Sequence, residues 1–271
     1  MIFVKSEDLK YGMRLAKPIY NKTGVLLYER NTRLTLQGIE SVKNFGLLGL
    51  YILEPAEPVP PMSEEDLDFE RFQTMAVFSI REELDNIIAG REPINLKRLA
   101  NAIITNYGRL DHKITFTQNL RSTTDYVYKH VINTAILCAL ISAQVYYTPT
   151  EQEELVLAAL LHDIGKLLLP NKVREKYDDY DTNDLIIVKK IQNDGLGLLR
   201  PEIGIDSGVR RIVAQIHRME YGNSNLEQGK ILKSTKILKV ANLFDTMTCM
   251  KISEEAISEI AAIKYLLLNK D

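Results

Sequence analysis

The stretch that decides the fold is residues 161–170, LHDIGKLLLP, in which a His and an Asp stand side by side. His162 offers a neutral imidazole and Asp163 offers a carboxylate that can bind one ion or bridge two. Such mixed nitrogen and oxygen ligands suit Fe, Mn, Zn and similar divalent metals. Lys166 follows Asp163 by three residues, so on a helix the two side chains share a face and the ammonium group could hold a phosphate against the metal.

The alternative for an isolated His-Asp pair is a chance pair on the surface, which is common for two polar residues. Here the pair follows the apolar run LVLAALL, residues 155–161, which is typical of a buried helix. A polar pair at the end of a buried helix is costly unless something binds it. The context therefore favours a metal site.

The string HDIGK with a Pro four residues later resembles the signature of HD-superfamily phosphohydrolases, and specifically the HD-GYP family. The resemblance spans roughly residues 120–250. It implies an all-helical HD-type domain. The reaction it implies is hydrolysis of the phosphodiester in cyclic di-GMP, in which two metals activate a bridging hydroxide.

The resemblance also implies a first metal-binding His, one helix before the HD pair. The stretch YKHVINTAIL, residues 128–137, places His130 in that role. Some family members carry a Glu four residues earlier that helps to hold a third metal. Tyr126 stands there instead, so a trinuclear site is not expected.

Two further motifs of the family have lost ligands. In VKKIQNDGLGLL, residues 188–199, Ile191 stands at a His position. In IHRMEYGNSNL, residues 216–226, the first His position is Ile216, whereas His217 is kept. The other replacements in that motif are Arg218 for Glu, Tyr221 for Asp, and Ser224, Asn225 and Leu226 for Gly-Tyr-Pro, while Gly222 is retained.

The last metal carboxylate of the family is replaced by an amide. The stretch ANLFDTMT, residues 241–248, has Asn242 at that position and keeps the second Asp as Asp245. The amide oxygen of Asn242 is an uncharged, weaker ligand. We expect Asp245 to be a structural hydrogen-bond acceptor.

The second metal would have too few ligands, so the sequence predicts at most one divalent ion per chain (Fe, Mn or similar), or none. The predicted ligands are His130, His162, Asp163, weakly Asn242, and His217 as a further candidate. Lys166 and Arg218 are the predicted phosphate-facing residues, and Lys166 and Asp163 are the catalytic candidates if activity remains.

Composition narrows the function classes. The chain has 271 residues, of which 45% are hydrophobic and 26% charged, as in ordinary globular proteins. Its formal net charge of -2 gives no basic field for nucleic acid or an anionic membrane. The two cysteines, Cys138 and Cys249, lie in apolar helical patterns and are predicted to be buried thiols. No signal pattern or apolar run of ~20 residues is present, so we expect a cytoplasmic protein.

Residues 1–53 carry most of the strand signal and are predicted to form a small β-rich accessory module, with a turn at residues 21–24 and one helix, residues 34–46, ending near Gly46. Residues 8–35 resemble the small module found ahead of some HD-GYP domains. Residues 54–62, EPAEPVPPM, hold four prolines and predict a stiff linker. Ser63 is the predicted N-cap of the next helix, with Asp66 as its partner.

Residues 63–271 predict a helical HD-type domain, with its core at about 120–250, so the fold class is mainly α. Apolar residues at i, i+3 and i+4 define the candidate helices. These cover about 64–89, 95–107, 114–121, 124–146, 151–161, 183–191, 207–219, 233–250 and 253–268.

The sequence favours the first of three functions, because two apolar replacements and one cationic replacement together form a coherent departure from the family pattern. The first is a signalling module with little or no catalysis, which binds a cyclic dinucleotide, another phosphate ligand or a signalling protein. The second is a residual mononuclear phosphohydrolase acting on a nucleotide or phosphate ester. The third is a helical scaffold without metal. A homodimer is compatible with all three.

Overall fold

The computed structural model describes residues 1–45, 47, 49–110, 125–176, 180–221, 231–248 and 257–269. Several predicted features lie outside these residues. They are the helix at 114–121, the end of a helix at Gly46, the start of the helix at 253, Cys249, and the positions Gly222, Ser224, Asn225 and Leu226.

Two compact units make up the chain. The first unit contains Met1–Phe78 and, further along the described chain, Asp125 and Tyr126. The second unit contains all the other described residues, from Ser79 onward. The division falls between Phe78 and Ser79, within helix α2 (Glu64–Ile88). The predicted division into an accessory module at 1–53, a linker at 54–62 and a helical domain at 63–271 stays a prediction.

The first unit contains the strands, as predicted. A three-stranded antiparallel sheet has the order β1 (Ile2–Lys5), β5 (Gly49–Leu53), β2 (Arg14–Leu15), with Ile2 opposite Ile52 and Arg14 opposite Leu53. Strands β3 (Ile19–Tyr20) and β4 (Leu26–Tyr28) form a separate hairpin.

The hairpin turn follows from two residues of the sequence. The Asn21 Oδ1 accepts hydrogen bonds from the backbone N–H groups of Thr23 and Val25, each at 2.9 Å. Gly24 has a φ of +78°, a conformation that favours glycine. The predicted turn at residues 21–24 is confirmed.

Helix α1 (Leu36–Asn44) packs its buried face on the sheet. Thr35 caps it by accepting a hydrogen bond from the Gly38 N–H at 3.0 Å. The shared core of this unit contains Leu9, Leu15, Ile19, Leu34, Ile39, Val42, Leu47, Leu50 and Ile52.

The proline-rich segment has no helix or strand and is tied to the first unit by hydrogen bonds. Arg14 donates to the carbonyls of Glu54 and Glu57, at 2.9 and 2.6 Å, and Arg30 donates to the carbonyl of Pro60 at 2.5 Å. The predicted cap of α2 is confirmed: the Asp66 N–H donates to Ser63 Oγ at 3.1 Å and the Ser63 N–H donates to Asp66 Oδ2 at 3.0 Å. This is a reciprocal capping box.

The second unit is helical, so the predicted fold class is confirmed. After α2, the α-helices among the described residues are α3 (Leu96–Tyr107), α4 (Asp125–Gln144), α5 (Pro149–Leu161), α6 (Asn171–Arg174), α7 (Thr182–Leu198), α8 (Ser207–Tyr221), α9 (Lys233–Thr248) and α10 (Glu259–Leu268). Two short 3-10 helices, Ile164–Leu168 and Pro201–Ile203, complete the set. Helix α7 continues seven residues past its predicted end at 191. The two 3-10 helices and α6 were not among the predicted helices.

Helix α4 is long and apolar enough to cross a membrane by length and composition alone. However, 78% of its most apolar window is buried inside this structure. Cys138 lies on this helix with no exposed surface, and burial raises the pKa of its thiol. The helix therefore packs as a core element here.

A glycine-to-glycine contact sets how closely α7 approaches the first 3-10 helix. A Cβ on Gly195 would lie 2.6 Å from Gly165 Cα and 2.7 Å from Gly165 N. A Cβ on Gly165 would in turn lie 2.9 Å from the backbone oxygen of Ile191. Backbone atoms cannot rotate away as side chains do, so both positions need glycine for this packing.

We expect Gly195→Ala to destabilise the protein by about 1–3 kcal/mol, since the added methyl group must push the 3-10 helix away from α7. Gly197→Ala is the matched control, because a Cβ at exposed Gly197 on the same helix meets nothing within 4 Å. That change should stabilise by up to about 0.5–1 kcal/mol through helix propensity. Urea unfolding of both variants measures this, and equal shifts of the same sign would contradict the close-packing argument.

Candidate metal centre

The HD pair lies where α5 ends. Every residue of this helix from Leu155 to Leu161 is buried, as the apolar run predicted. His162 is the C-terminal cap of the helix, and Asp163 immediately precedes the 3-10 helix Ile164–Leu168. The change from α to 3-10 geometry turns the chain at the pair, so both side chains remain inside the protein with at most 1% of their surface exposed.

His130 comes from α4 and meets the pair. Potential ligand atoms of His130, His162 and Asp163 all lie within 4.8 Å of one another. Asp163 Oδ2 lies 3.6 Å from His130 Nε2 and 3.6 Å from His162 Nε2. The structure therefore brings together the three residues that the sequence selected as the main ligands.

Hydrogen bonds orient both imidazole rings. His130 Nδ1 lies 2.6 Å from Asp245 Oδ2, and Asp245 is itself fixed because its Oδ1 accepts a hydrogen bond from Asn133 at 2.9 Å. His162 Nδ1 lies 2.7 Å from the carbonyl oxygen of Ala159. With Nδ1–H donating in each case, both Nε2 atoms are left as acceptors facing Asp163, which is the arrangement that metal-binding histidines use.

Charges around Asp163 keep it ionised. Burial alone would raise its pKa, but the charge and hydrogen bond of Lys166 act against burial, and the pKa lies well below its usual range. Burial lowers the pKa of His162 to about 4, so this imidazole is neutral and can donate a lone pair at neutral pH. Burial would also lower the pKa of His130, yet the hydrogen bond and charge of Asp245 raise it, so a metal there competes with a proton.

Lys166 lies beside the carboxylate, as the i, i+3 spacing predicted. Its Nζ is 2.8 Å from Asp163 Oδ2, and only 6% of the residue is exposed. The ammonium group thus neutralises Asp163 and repels any cation that approaches the same oxygen. A metal that binds Asp163 must share Oδ2 with this lysine or displace it.

Gln192 is part of the site and was not identified from the sequence. Its Nε2 donates to Asp163 Oδ1 at 2.9 Å, and the residue is 1% exposed. Gln192 directly follows Ile191, where the family pattern has a His ligand. This position was the sequence feature that could have identified Gln192 as part of the site. Both oxygens of Asp163 therefore have protein neighbours.

Glu220 is the second residue that sequence analysis missed. It lies on α8 and accepts a hydrogen bond from Asn242 Nδ2 on α9 at 2.6 Å. The sequence feature that could have identified Glu220 is its i, i+3 spacing from His217, which places the two residues on one face of the helix.

The remaining predicted residues, His217, Asn242 and Arg218, have different surroundings. His217 is buried, and its Nε2 lies 2.6 Å from the carbonyl oxygen of His162, which leaves Nδ1 for any metal. Asn242 uses its amide nitrogen on Glu220. Arg218 is exposed on α8, and the charge next to Asp163 comes from Lys166 instead.

The donor set fits a divalent cation. His162 Nε2 is buried and has no hydrogen-bond partner among the described residues, although a buried imidazole nitrogen normally has one. Two imidazole nitrogens and a carboxylate oxygen suit Fe, Mn or Zn. Three such ligands leave room for further groups in the coordination shell.

Residues 127–247 match the HD domain family model. The cyclic di-GMP phosphodiesterase response regulator RpfG of Xanthomonas campestris pv. campestris (strain 8004) is 25% identical to this chain over 134 residues. That match covers 48% of this chain and 35% of RpfG, so the chain spans about a third of its relative.

Among solved structures, Bd1817, an HDG"Y"P protein from Bdellovibrio bacteriovorus, has a TM-score of 0.55 and 16% sequence identity. The likeness covers 99% of this chain and 94% of Bd1817. At this identity it shows a shared fold and nothing finer.

Proposed function

We propose that this chain, of which residues 127–247 match the HD domain family model, is a signalling module that binds one divalent cation and a phosphate-containing nucleotide, with little or no hydrolysis of cyclic di-GMP. His130, His162 and Asp163 would hold the cation. Lys166 would face the phosphate, and exposed Arg218 would add a second positive charge toward it.

The observation that carries this proposal is the state of Asp163. In a two-metal site, Asp163 would bridge the ions most directly with one carboxylate oxygen on each. Here Lys166 lies 2.8 Å from Oδ2, and Gln192 donates to Oδ1 at 2.9 Å. One cation can replace the lysine at Oδ2, whereas a second ion would have to displace the buried amide of Gln192 as well.

The residues at the second metal position support the same conclusion. Ile216 has no exposed surface, and Ile191 packs against the apolar cluster of Leu169, Val173 and Val188. Neither side chain has a lone pair to offer. A single bound ion would supply Lewis-acid stabilisation of a phosphate oxygen, without the bridging hydroxide of the two-metal reaction.

We expect the purified protein to bind one Mn²⁺ or Fe²⁺ per chain and to release little or no linear product from cyclic di-GMP. Metal analysis gives the stoichiometry, and chromatography of the nucleotide gives the turnover, with Asp163→Ala as the inactive control. Two ions per chain, or robust turnover that Asp163→Ala abolishes, would contradict the proposal.

A residual mononuclear phosphohydrolase is the second candidate. It is favoured by the intact and buried group of His130, His162, Asp163 and Lys166. A panel of phosphate esters and nucleotides assayed with Mn²⁺ distinguishes the two. Turnover that requires one ion per chain and is lost in Asp163→Ala would establish the enzyme, and nucleotide binding without turnover would establish the signalling module.

A further inference from the structure

A buried residue on each of helices α8 and α9 contacts one of the central ligands. From α8, His217 Nε2 reaches the carbonyl oxygen of His162 at 2.6 Å. From α9, Asp245 Oδ2 reaches His130 Nδ1 at 2.6 Å. Both helices are therefore held against the metal centre at defined positions.

One helical turn from each contact stands a second polar residue. Glu220 follows His217 by three residues and Asn242 precedes Asp245 by three, so each pair shares one face of its helix. The Asn242 amide donates to Glu220 Oε1 at 2.6 Å and joins the two helices at this level. Glu220 is exposed, whereas the central ligands are buried, so the pair lies between the centre and solvent.

The helix contacts fix where Glu220 stands. One helical turn rises about 5.4 Å, so Glu220 lies about one turn from the contact of His217 with His162, and Asn242 about one turn from the contact of Asp245 with His130. A divalent cation held by Asp163 and two imidazoles keeps a net positive charge. A carboxylate one turn away would offset that charge and supply a further ligand.

The geometry points to Glu220 as the carboxylate that completes the coordination of the cation, and to Asn242 as the positioning residue that holds it. This inference rests on the proposed binding of one cation by His130, His162 and Asp163. Glu220 would close the shell from the solvent side in place of the carboxylate that position 242 lacks. An exposed glutamate can turn inward toward the cation without breaking core packing.

Isothermal titration of the full chain with Mn²⁺ tests the inference. We expect Glu220→Gln to weaken Mn²⁺ binding at least about tenfold without changing the stoichiometry. The matched control is Glu202→Gln, which removes the same charge from an exposed residue of the 3-10 helix Pro201–Ile203 and should leave the affinity unchanged. The absorption spectrum of bound Co²⁺ should also change in Glu220→Gln, because one oxygen ligand is lost.

A double-mutant cycle separates the two roles. Asn242→Ala should weaken Mn²⁺ binding in the parent but have no further effect in Glu220→Gln, since a positioning residue acts only through the residue it holds. If Asn242 were a direct ligand, the two losses would add. Additive losses would therefore overturn the positioning role of Asn242.

The outcomes for the inference and for the proposed function differ. A parent protein that binds no Mn²⁺, Fe²⁺ or Co²⁺ overturns both. A parent that binds one ion, together with a Glu220→Gln variant of the same affinity and the same Co²⁺ spectrum, overturns the role of Glu220 alone.

Discussion

Replacing Lys166 by Met should destabilise the metal-free protein by about 3–5 kcal/mol, because it leaves the Asp163 carboxylate buried without its nearest cation. Both side chains are at least nine-tenths buried, and their charged atoms lie 2.8 Å apart. Methionine keeps most of the volume, so the loss reports charge compensation rather than a cavity. Urea unfolding of chelator-treated protein measures it.

The same variant should recover when metal is added. A divalent ion at Asp163 then supplies the missing positive charge and no longer meets the repulsion of the ammonium group. At a concentration one hundred times its Kd, such an ion stabilises by about 2.7 kcal/mol. Lys172→Met, an exposed position on α6, is the control and should change stability by no more than about 0.5 kcal/mol. Equal stability of Lys166→Met and the parent without metal would refute the compensating role of Lys166.

Restoring the second metal should require Gln192 to change as well as the lost ligands. A triple variant, Ile191→His with Ile216→His and Asn242→Asp, should still bind one ion, because Gln192 continues to occupy Asp163 Oδ1. Adding Gln192→Ala frees that oxygen, and the quadruple variant should bind two. Metal analysis after gel filtration gives the stoichiometry.

The metal-free restored variants should be less stable than the parent. Ile216 is fully buried and Ile191 packs in an apolar cluster, so each new imidazole would cost on the order of 1–3 kcal/mol without a ligand. Thermal melts with and without Mn²⁺ show whether metal offsets that cost. Gln192→Ala alone is the control and should stay at one ion. Two ions in the triple variant would show that Gln192 does not block the second site.

Features set by neighbouring residues in the chain were predictable. The run at 155–161 predicted a buried helix that ends at the HD pair, and the structure has this helix. Ser63 and Asp66 form the predicted cap, and Asn21 forms the predicted turn. Periodicity, caps and turns depend on residues a few positions apart, so one sequence is sufficient to identify them.

Proximity of the distant ligands could be predicted only through the motif. No periodicity relates His130 to His162, because they lie on different helices, and the family pattern alone suggested that they meet. The structure places His130 3.6 Å from Asp163, through an orientation that Asp245 helps to fix. Whether a metal binds there stays a prediction that the titrations above test.

The sequence by itself determined the helical fold, the β-rich first module and the pair at the end of α5. The tertiary structure alone decided how Asp163 is surrounded, that Gln192 takes its second oxygen, and that Glu220 joins Asn242 near the centre. It also decided that the first unit extends into α2 as far as Phe78. The physical reason is that these contacts join residues from separate elements. The packing of those elements decides which side chains come within about 3 Å of a buried carboxylate, and therefore which of them form hydrogen bonds or ion pairs with it. The spacing of the residues along the chain does not determine that distance.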